Sequence, residues 1–434
     1  MDAIENVKGP VLRPGDDGFD AQLAGYQTDH PHRPDLVVAA TSADDVVAAV
    51  RHAADHGLPV AVETSGHGRA APLTGGVLIT TRRMDGVRID PARRVARVQA
   101  GTRWARVVAA AAEHGLVPPS GSSPEAGVVG YTLGGGIGVL ARELGWASDR
   151  VESVDLVTAD GGLRHVTADS DPELFRVLRG AGHGLGVVTA MEIELAPGGR
   201  FYGGALTVAE EHVPALLAAY REWTADLPDG LTSSIGALRY PDLPVLPEHL
   251  RGRYLAQVRI AWTGPADEGE RLVAPLRAAV PTTGELGELP YTEAASIFSE
   301  PDRPHPYTGT NALLRELDPA VLDAALDIAG PGAPVMCVLG LRHLGGALSR
   351  EPAVPDAVPH RDAPYLLQVL SLVDGTDLPG RLHRELMEAA APWTAGRTPN
   401  FRFGSRAARD WPIETPGRAE LEAELDPKGL FHQA

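Results

Sequence analysis

Three glycine-rich segments within the first 190 residues constrain this chain more than any other feature of its sequence. They lie at residues 65–76, 118–138 and 180–189, and each follows a predicted strand or helix. Because glycine has no side chain, it adopts positive φ easily and lets backbone N–H groups approach a ligand closely, above all phosphate oxygens. A tight turn explains one such segment, whereas three of them favour a main chain wrapped around a large ligand.

The familiar nucleotide-binding fingerprints do not match these segments. The G-x-G-x-x-G motif of dinucleotide-binding folds needs a third glycine at its sixth position. Counted from Gly134 that position is Val139, counted from Gly180 it is Leu185, and a count from Gly182 fails likewise. The phosphate-binding motif G-x-x-x-x-G-K-[ST] is also absent from the sequence. The glycine-rich loops therefore follow another scheme.

Hydrophobic patterning divides the chain near residue 200. Residues 36–63 predict a βαβ unit in which Ser42 caps a helix that Gly57 ends, and residues 151–168 predict a hairpin. After residue 200, longer strands alternate with helices, which indicates an antiparallel sheet covered by helices and an α+β fold. The predicted strands there are 205–209, 233–240, 254–262, 335–344 and 365–373, and the predicted helices are 212–225, 267–280, 318–329 and 379–391.

Charge and composition exclude several classes of protein. The sequence holds 39 Lys and Arg against 57 Asp and Glu, a net charge of −18, which disfavours nucleic acid and anionic membranes as partners. The N-terminus lacks the apolar region of a secretory signal, and no apolar run is long enough to span a bilayer. The single cysteine, Cys337, allows no internal disulfide and no thiolate metal cluster. We expect a cytoplasmic protein, a monomer or homodimer, without a bound metal.

Three segments occur in this order: RPDLVVAATSADDVVAAVRHAADHGLPVAVETSGHG, GSSPEAGVVGYTLGGGIGVLARELGW and GAGHGLGVVTAMEIEL. Together they resemble the FAD-binding domain of vanillyl-alcohol-oxidase-type (PCMH-type) flavoproteins, and the berberine-bridge-enzyme-like branch with its actinobacterial members is most similar. The resemblance covers about residues 30–197 and returns in the PNF and LDPKGLF segments near the C-terminus.

The resemblance implies a two-domain architecture. Residues 1–200 would form the FAD-binding domain, residues 201–394 a central antiparallel substrate-binding domain, and residues 395–434 a segment that returns to the first domain. The cofactor would be FAD, with the positions that match the family motifs around it. These positions are Thr64, Ser65, Gly66, His67, Gly68, Gly121, Ser122, Ser123, Gly127, Gly130, Leu133, Gly134, Gly135, Gly136, Gly138, Gly186, Val187, Val188 and Asn400.

The resemblance also implies how the flavin is attached. His67 matches the family histidine that bonds covalently to the 8α-methyl group of FAD, since a neutral imidazole nitrogen adds to the methide form of the flavin. Many relatives add a second link through a cysteine, but Ser123 stands at that position here, and a hydroxyl is a far poorer nucleophile than a thiolate. We expect one covalent link, through His67, and Cys337 as a core residue.

The expected proton-transfer group differs from the family pattern. Thr398 and Arg69 stand where relatives often have tyrosines. The remaining catalytic candidates are His360, His343 and Tyr131, although each histidine is equally compatible with a hydrogen-bonded position in a sheet. Arg69 is compatible either with binding an acidic or carbonyl substrate or with a solvated position.

The function that follows is the oxidation of a small organic substrate by an FAD-dependent oxidase or dehydrogenase, in specialised metabolism. O2 is the expected electron acceptor, because the family position three residues after Ser123 admits oxygen when it is small, and here it is Ala126. Two alternatives remain open at this point: a flavin-dependent oxygenase or net non-redox cyclase, and a non-catalytic binding protein of the same fold.

Overall fold

A computed structural model describes residues 4–69, 71–244, 246–404 and 413–431. It confirms the predicted α+β class. The chain forms three main sheets. The first 200 residues contribute most of a four-stranded and a five-stranded sheet, and the following residues form one eight-stranded antiparallel sheet. No helix in the described ranges is both long and apolar enough to cross a membrane.

The first sheet has the strand order β1-β2-β4-β3, in which β2, β3 and β4 are parallel. Its helix α2 forms as predicted, because the Ser42 hydroxyl accepts the backbone N–H of Asp45 and Gly57 ends the helix with a φ of 64°. The elements are β1 (Val11–Leu12), α1 (Phe19–Leu23), β2 (Leu36–Ala39), α2 (Ala43–His56), β3 (Val60–Glu63) and β4 (Val77–Thr80).

The second sheet is antiparallel, in the order β5-β6-β10-β8-β9, and includes the predicted hairpin as β8 and β9; β7 and β11 form a separate two-stranded ribbon. The strands are β5 (Val87–Asp90), β6 (Val95–Gln99), β7 (Leu116–Val117), β8 (Val151–Val157), β9 (Leu163–Val166), β10 (Val187–Glu194) and β11 (Ala196–Pro197). The helices are α3 (Trp104–Ala112), α4 (Val128–Leu133), α5 (Ala141–Leu144) and α6 (Pro172–Ala181).

The third sheet has the order β15-β12-β14-β13-β17-β18-β16-β19. Its apolar face packs against α7 to α10, while the other face turns toward the first 200 residues. The strands are β12 (Arg200–Ala209), β13 (Leu231–Arg239), β14 (Tyr254–Trp262), β15 (Leu286–Pro290), β16 (Tyr307–Leu314), β17 (Cys337–His343), β18 (Tyr365–Leu372) and β19 (Thr394–Gly396). The helices are α7 (Val213–Trp223), α8 (Ala266–Ala279), α9 (Pro319–Ala329) and α10 (Leu378–Ala389).

The C-terminal residues pack on the first two sheets. Helix α11 (Arg418–Leu425) places the Arg418 guanidinium against the carbonyl oxygens of Ala181 and His183, in the third glycine-rich segment. After it, the backbone N–H of Val60 in β3 donates to the carbonyl of Leu430, 2.8 Å away. Short 3₁₀ helices complete the described structure at Ala147–Arg150, Glu210–His212, Thr224–Asp226, Tyr291–Ile297, Gly346–Ser349 and Ala391–Trp393.

Candidate functional site

Two of the glycine-rich loops meet side by side. The loop after β3 carries Ser65, whose hydroxyl accepts a 3.3 Å hydrogen bond from the backbone N–H of Gly127, in the loop that leads into α4. Thr64 fixes the start of the first loop, since its hydroxyl lies 2.6 Å from that of Thr81 and 3.1 Å from the carbonyl oxygen of Ala100. Residues about 60 positions apart in the sequence therefore form one continuous rim.

His67 lies at the centre of this junction. Its Nδ1 is 3.1 Å from the Ser65 hydroxyl and its Nε2 is 3.2 Å from the Ser123 hydroxyl. The ring of Tyr26 stacks on the imidazole with centroids 3.9 Å apart and planes 7° apart. Burial, followed by the charges of Arg103 and of another histidine, lowers the pKa of His67 to about 4. The imidazole is therefore neutral at physiological pH, and its unprotonated ring nitrogen is nucleophilic.

Aromatic residues at and just before the start of β16, in the third sheet, pack over the same loop. The Tyr307 hydroxyl, at the start of β16, donates a 2.5 Å hydrogen bond to the carbonyl oxygen of His67. The ring of His305 lies 5.3 Å from that of Tyr26 and 5.0 Å from that of Tyr307. Burial raises the pKa of Tyr26 to about 12 and raises that of Tyr307 further, so both phenols are hydrogen-bond donors at neutral pH. No sequence motif indicated a role for Tyr26, His305 or Tyr307.

The loop at His67 has room and hydrogen-bond donors for a ligand. A Cβ added to Gly68 or Gly130 would meet no atom within 4 Å, so both glycines border open space. Gly66 has a φ of 72°, a backbone conformation that favours glycine. Within the described part of the chain, the backbone N–H groups of Gly66, His67 and Gly68 have no acceptor. Backbone N–H groups without an acceptor, beside a glycine-lined space, fit a ligand rich in hydrogen-bond acceptors, such as FAD.

Other predicted cofactor glycines make contacts within the protein. A Cβ on Gly121 or Gly136 would lie 2.9 or 2.4 Å from the ring of Tyr131, so these glycines give that ring its place. Similar crowding exists at four more: Gly134 beside the Asn400 side chain at 2.2 Å, Gly135 beside Trp146 at 2.9 Å, Gly138 beside the carbonyl of Ser120 at 3.1 Å and Gly186 beside the carbonyl of Val157 at 2.7 Å. At these positions the absence of a side chain makes room for neighbouring protein atoms.

The remaining predicted cofactor positions frame the loops. Leu133 and Val188 are buried in the core of the second sheet, whereas Val187 is buried against the first sheet. Ser122 is partly buried in the loop beside Ser123. These residues hold the glycine-rich backbone in place.

Asn400 connects the C-terminal segment to α4. Its side-chain amide donates to the carbonyl oxygen of Tyr131 at 2.9 Å. Asn311, on β16, is fully buried and holds the segment from the other side, because its amide donates to the carbonyls of Thr398 and Asn400 and its oxygen accepts the N–H of Thr398, all at 3.0–3.1 Å. The family position Thr398 is thereby fixed inside the sheet interface.

The structure separates the four predicted catalytic residues rather than bringing them together. Strand alternation turns His343 to the helix side of the third sheet, where its ring stacks on Tyr365 at 5.6 Å and its Nε2 accepts a 3.1 Å hydrogen bond from Arg142. Burial and the charge of Arg142 lower the pKa of His343 to about 3, so it stays neutral. His360 lies in the loop before β18, exposed, with its ring against Gly396.

Arg69 is part of a buried ion-pair cluster beneath the His67 loop. Its guanidinium binds both oxygens of Glu63 at 2.6–2.7 Å, and both side chains are under 5% exposed. Two more bonds go to the carbonyl oxygens of Gln27 and Leu23. These partners occupy the guanidinium and tie the His67 loop to β3, and the burial of Arg69 is at odds with the solvated position that was one of its two expected environments.

Tyr131 packs against the second glycine-rich segment, where Gly121 and Gly136 border its ring. Its hydroxyl donates to the carbonyl oxygen of Pro119 at 3.3 Å, and burial raises its pKa well above the ordinary value, with the charge of Arg342 opposing that shift. A pocket lies between residues 137–139 of the second glycine-rich segment and the open face of the third sheet, and His343 is the predicted catalytic residue that lines it. Arg259 and Arg342 line it, and sequence analysis had singled out neither.

Comparison with known proteins gives consistent matches. Residues 34–167 match the family described as FAD binding domain. (R)-6-hydroxynicotine oxidase of Paenarthrobacter nicotinovorans is 35% identical over 307 residues, which is 68% of this chain and 64% of the length of that oxidase. The sequence alignment thus leaves about a third of this relative unmatched.

Solved structures match over nearly the whole chain. 6-Hydroxy-D-nicotine oxidase from Arthrobacter nicotinovorans superposes with a TM-score of 0.83 at 26% identity, covering 98% of this chain and 97% of that one. The BBE-like 1 protein of Physcomitrella patens gives a TM-score of 0.83 at 18% identity, covering 98% and 96%. At 18% identity, the match to the Physcomitrella patens protein shows a shared fold.

Proposed function

The chain belongs to the berberine-bridge-enzyme-like FAD-binding oxidoreductases, and from this premise we propose that it oxidises a small organic substrate with a covalently bound FAD. We assign the FAD-binding domain to residues 1–200 and 395–434 and the substrate-binding domain to residues 201–394, with residues 137–139 of the first domain also lining the pocket. When bound, FAD supplies the acceptor for two electrons. We place the reaction in specialised metabolism.

The environment of His67 carries this proposal. A covalent bond from an imidazole nitrogen requires a neutral ring held in place, and His67 meets both requirements through its lowered pKa, the hydroxyls of Ser65 and Ser123, and the stacked ring of Tyr26. Ser123 contacts the imidazole but carries a hydroxyl, so we expect His67 to make the only covalent link.

The side chains in and near the pocket orient the substrate rather than remove its proton as a strong base. His343 lines the pocket and its low pKa keeps it neutral. Tyr131, outside the lining, has a raised pKa, so its phenol donates a hydrogen bond at neutral pH. 6-Hydroxynicotine, after which one relative is named, carries a basic amine, and the guanidinium groups of Arg259 and Arg342 in the pocket disfavour such a cation. We therefore expect a different substrate here.

We further propose that O2 reoxidises the reduced cofactor. Ala126 lies between Ser123 and Gly127 at the rim of the site and is only partly buried. A packed protein interior admits a small molecule only where side-chain volume is missing. Ala126 packs against the core of the second sheet with a single methyl group, so we expect less obstruction of O2 there than a larger side chain such as leucine would cause.

The covalent link is tested by acid precipitation of the purified protein. We expect the precipitate to stay yellow and the mass of the denatured chain to include FAD, whereas His67→Ala releases its flavin into the supernatant. His165→Ala is the matched control, because His165 is an exposed histidine on β9. Complete release of flavin from the unaltered protein would contradict the covalent link. A protein purified without flavin would contradict the proposed function as a whole.

A further inference from the structure

A row of polar residues crosses the third sheet on the face that borders the pocket. Ser234 on β13 is paired with Arg259 on β14 and, on its other side, with Arg342 on β17. Directly paired residues project from the same face of a sheet, so both guanidinium side chains rise on either side of one serine. Residues 83 positions apart in the sequence thereby line one wall of the pocket.

Neither guanidinium is neutralised by a carboxylate. Among the residues that the structure describes, no ion pair includes Arg259 or Arg342, and the Nε of Arg259 is buried without a hydrogen-bond partner. The negative charge of Glu300, an exposed residue, acts on both from beyond ion-pairing distance. The Nε of Arg342 donates a long hydrogen bond of 3.5 Å to the side-chain oxygen of Gln368.

Aromatic rings, and not carboxylates, contact the guanidinium groups of Arg259 and Arg342. The Phe298 ring lies 5.4 Å from the Arg259 guanidinium carbon and 5.8 Å from that of Arg342, so one ring contacts both cations. Phe401 lies 4.8 Å from Arg342. Cation–π contacts orient a guanidinium but leave its N–H groups free for an acceptor.

Two glycines make this arrangement possible. Gly236 and Gly340 are directly paired in the row next to Ser234. A Cβ on Gly236 would lie 2.2 Å from Nη1 of Arg259, and a Cβ on Gly340 would lie 2.4 Å from the Gln368 side chain. The absence of side chains at these positions lets Arg259 lie flat across the sheet and keeps the pocket open above it.

Two neighbouring cations without a counter-ion are costly in a partly buried site. Burial, together with the charge of Arg342, lowers the pKa of Arg259 to about 10, so both groups still carry their charge at neutral pH. A bound anion removes the repulsion and satisfies the free N–H groups, and a carboxylate matches the planar guanidinium geometry.

We propose that the pocket binds a small organic acid, with the carboxylate of the substrate held between Arg259 and Arg342 and its carbon skeleton against Phe298. This inference deepens the proposed function, since it names the chemical class of the substrate. A phosphate ester also presents anionic oxygens to the guanidinium groups, and the binding measurements below distinguish a phosphate ester from a carboxylate. The apolar part of the pocket wall comes from Ile137, Val139, Ile260 and Ile297.

Isothermal titration of the purified holoenzyme with benzoate, its uncharged analogue benzamide, and phenyl phosphate tests the proposal. We expect benzoate to bind at least tenfold more tightly than benzamide. Arg259→Gln and Arg342→Gln should each weaken benzoate binding at least tenfold and change benzamide binding less than twofold. Arg271→Gln is the control, because Arg271 is an exposed residue on α8.

A geometric variant complements the charge variants. Gly236→Ala keeps both charges but forces the Arg259 guanidinium to move, so it should also weaken benzoate binding while circular dichroism shows a folded protein. Equal binding of benzoate and benzamide, or unchanged benzoate affinity in both arginine variants, would overturn the proposal. If phenyl phosphate binds and benzoate does not, the assignment of a carboxylate as the recognised group is wrong. An arginine variant that alters the flavin spectrum but not benzoate affinity would assign that arginine to the cofactor and overturn its role here.

The flavin content of the same samples separates this inference from the proposed function. A yellow protein that does not distinguish benzoate from benzamide refutes the organic-acid site and leaves the flavin enzyme intact. A colourless protein that still binds benzoate through the two arginines refutes the flavin enzyme and supports the anion site.

Discussion

Glu63 anchors the His67 loop, and replacing it should strongly lower the stability of that loop. It is the last residue of β3, directly before the loop that carries His67. Its carboxylate binds Arg69 at 2.6–2.7 Å, Arg82 at 3.2 Å and the Nε2 of His32 at 3.1 Å, and it is only 4% exposed. Glu63→Gln keeps the shape and removes the charge that these partners share.

The size of the effect follows from that burial. Removing one partner of a buried ion pair costs about 3–5 kcal/mol, because the other charge is left without a counter-ion. Here two arginines lose the same carboxylate, so we expect about 4 kcal/mol. With a urea dependence of about 2 kcal/mol per M, local unfolding of this region should shift by about 2 M.

Hydrogen exchange of the peptide spanning residues 60–69, measured across a urea series, reads this stability locally. Burial alone would raise the pKa of Glu63, but the hydrogen bond from His32 and the charge of Arg69 lower it below its ordinary value. The stabilisation is therefore complete above the unfolded-state pKa of about 4.3 and is lost as the pH falls through the lower folded-state pKa. The difference between wild type and Glu63→Gln should be constant from pH 6 to 8 and shrink below about pH 4.

The control is Asp267→Asn, which breaks an exposed ion pair with Arg271 and should cost at most about 0.5 kcal/mol. A double-mutant cycle with Arg69→Gln should give a coupling of more than about 1.5 kcal/mol. If Glu63→Gln stays within about 1 kcal/mol of wild type, or if the coupling vanishes, the buried cluster does not stabilise the loop and the reasoning fails.

Three further outcomes follow from the structure. Asn311→Ala should lower the free energy of unfolding by about 2–4 kcal/mol, because it leaves the backbone groups of Thr398 and Asn400 unpaired, and a loss under 1 kcal/mol in urea unfolding would contradict this. Ala126→Leu should slow reoxidation of the reduced flavin at least tenfold in stopped-flow mixing with air-saturated buffer at unchanged flavin content; equal rates would refute oxygen access at this position. His343→Gln should leave the pH dependence of turnover between pH 5 and 9 unchanged, since the pKa of about 3 keeps this histidine neutral throughout, whereas a lost inflection would identify it as a titrating catalytic group.

Local features of the fold could be predicted from sequence because they depend on neighbouring residues. Helix α2 begins after Ser42 and ends at Gly57 because a hydroxyl cap and a left-handed glycine act within one turn. Strand β16, which runs from Tyr307 to Leu314, was not predicted. Its sequence, YTGTNALL, mixes small and polar residues, since one face lines the interior of the site and carries Asn311.

Glycine conformation and the SGHG motif are local properties of a few residues, so the two loops that meet at His67 could be predicted from sequence. The pocket beside the third sheet could not. Arg259 and Arg342 become neighbours through the strand order of β14, β13 and β17, which no local pattern encodes. Successive side chains along β17 project from opposite faces of the sheet, so the Arg342 guanidinium faces the pocket while the His343 ring stacks on Tyr365 on the helix side.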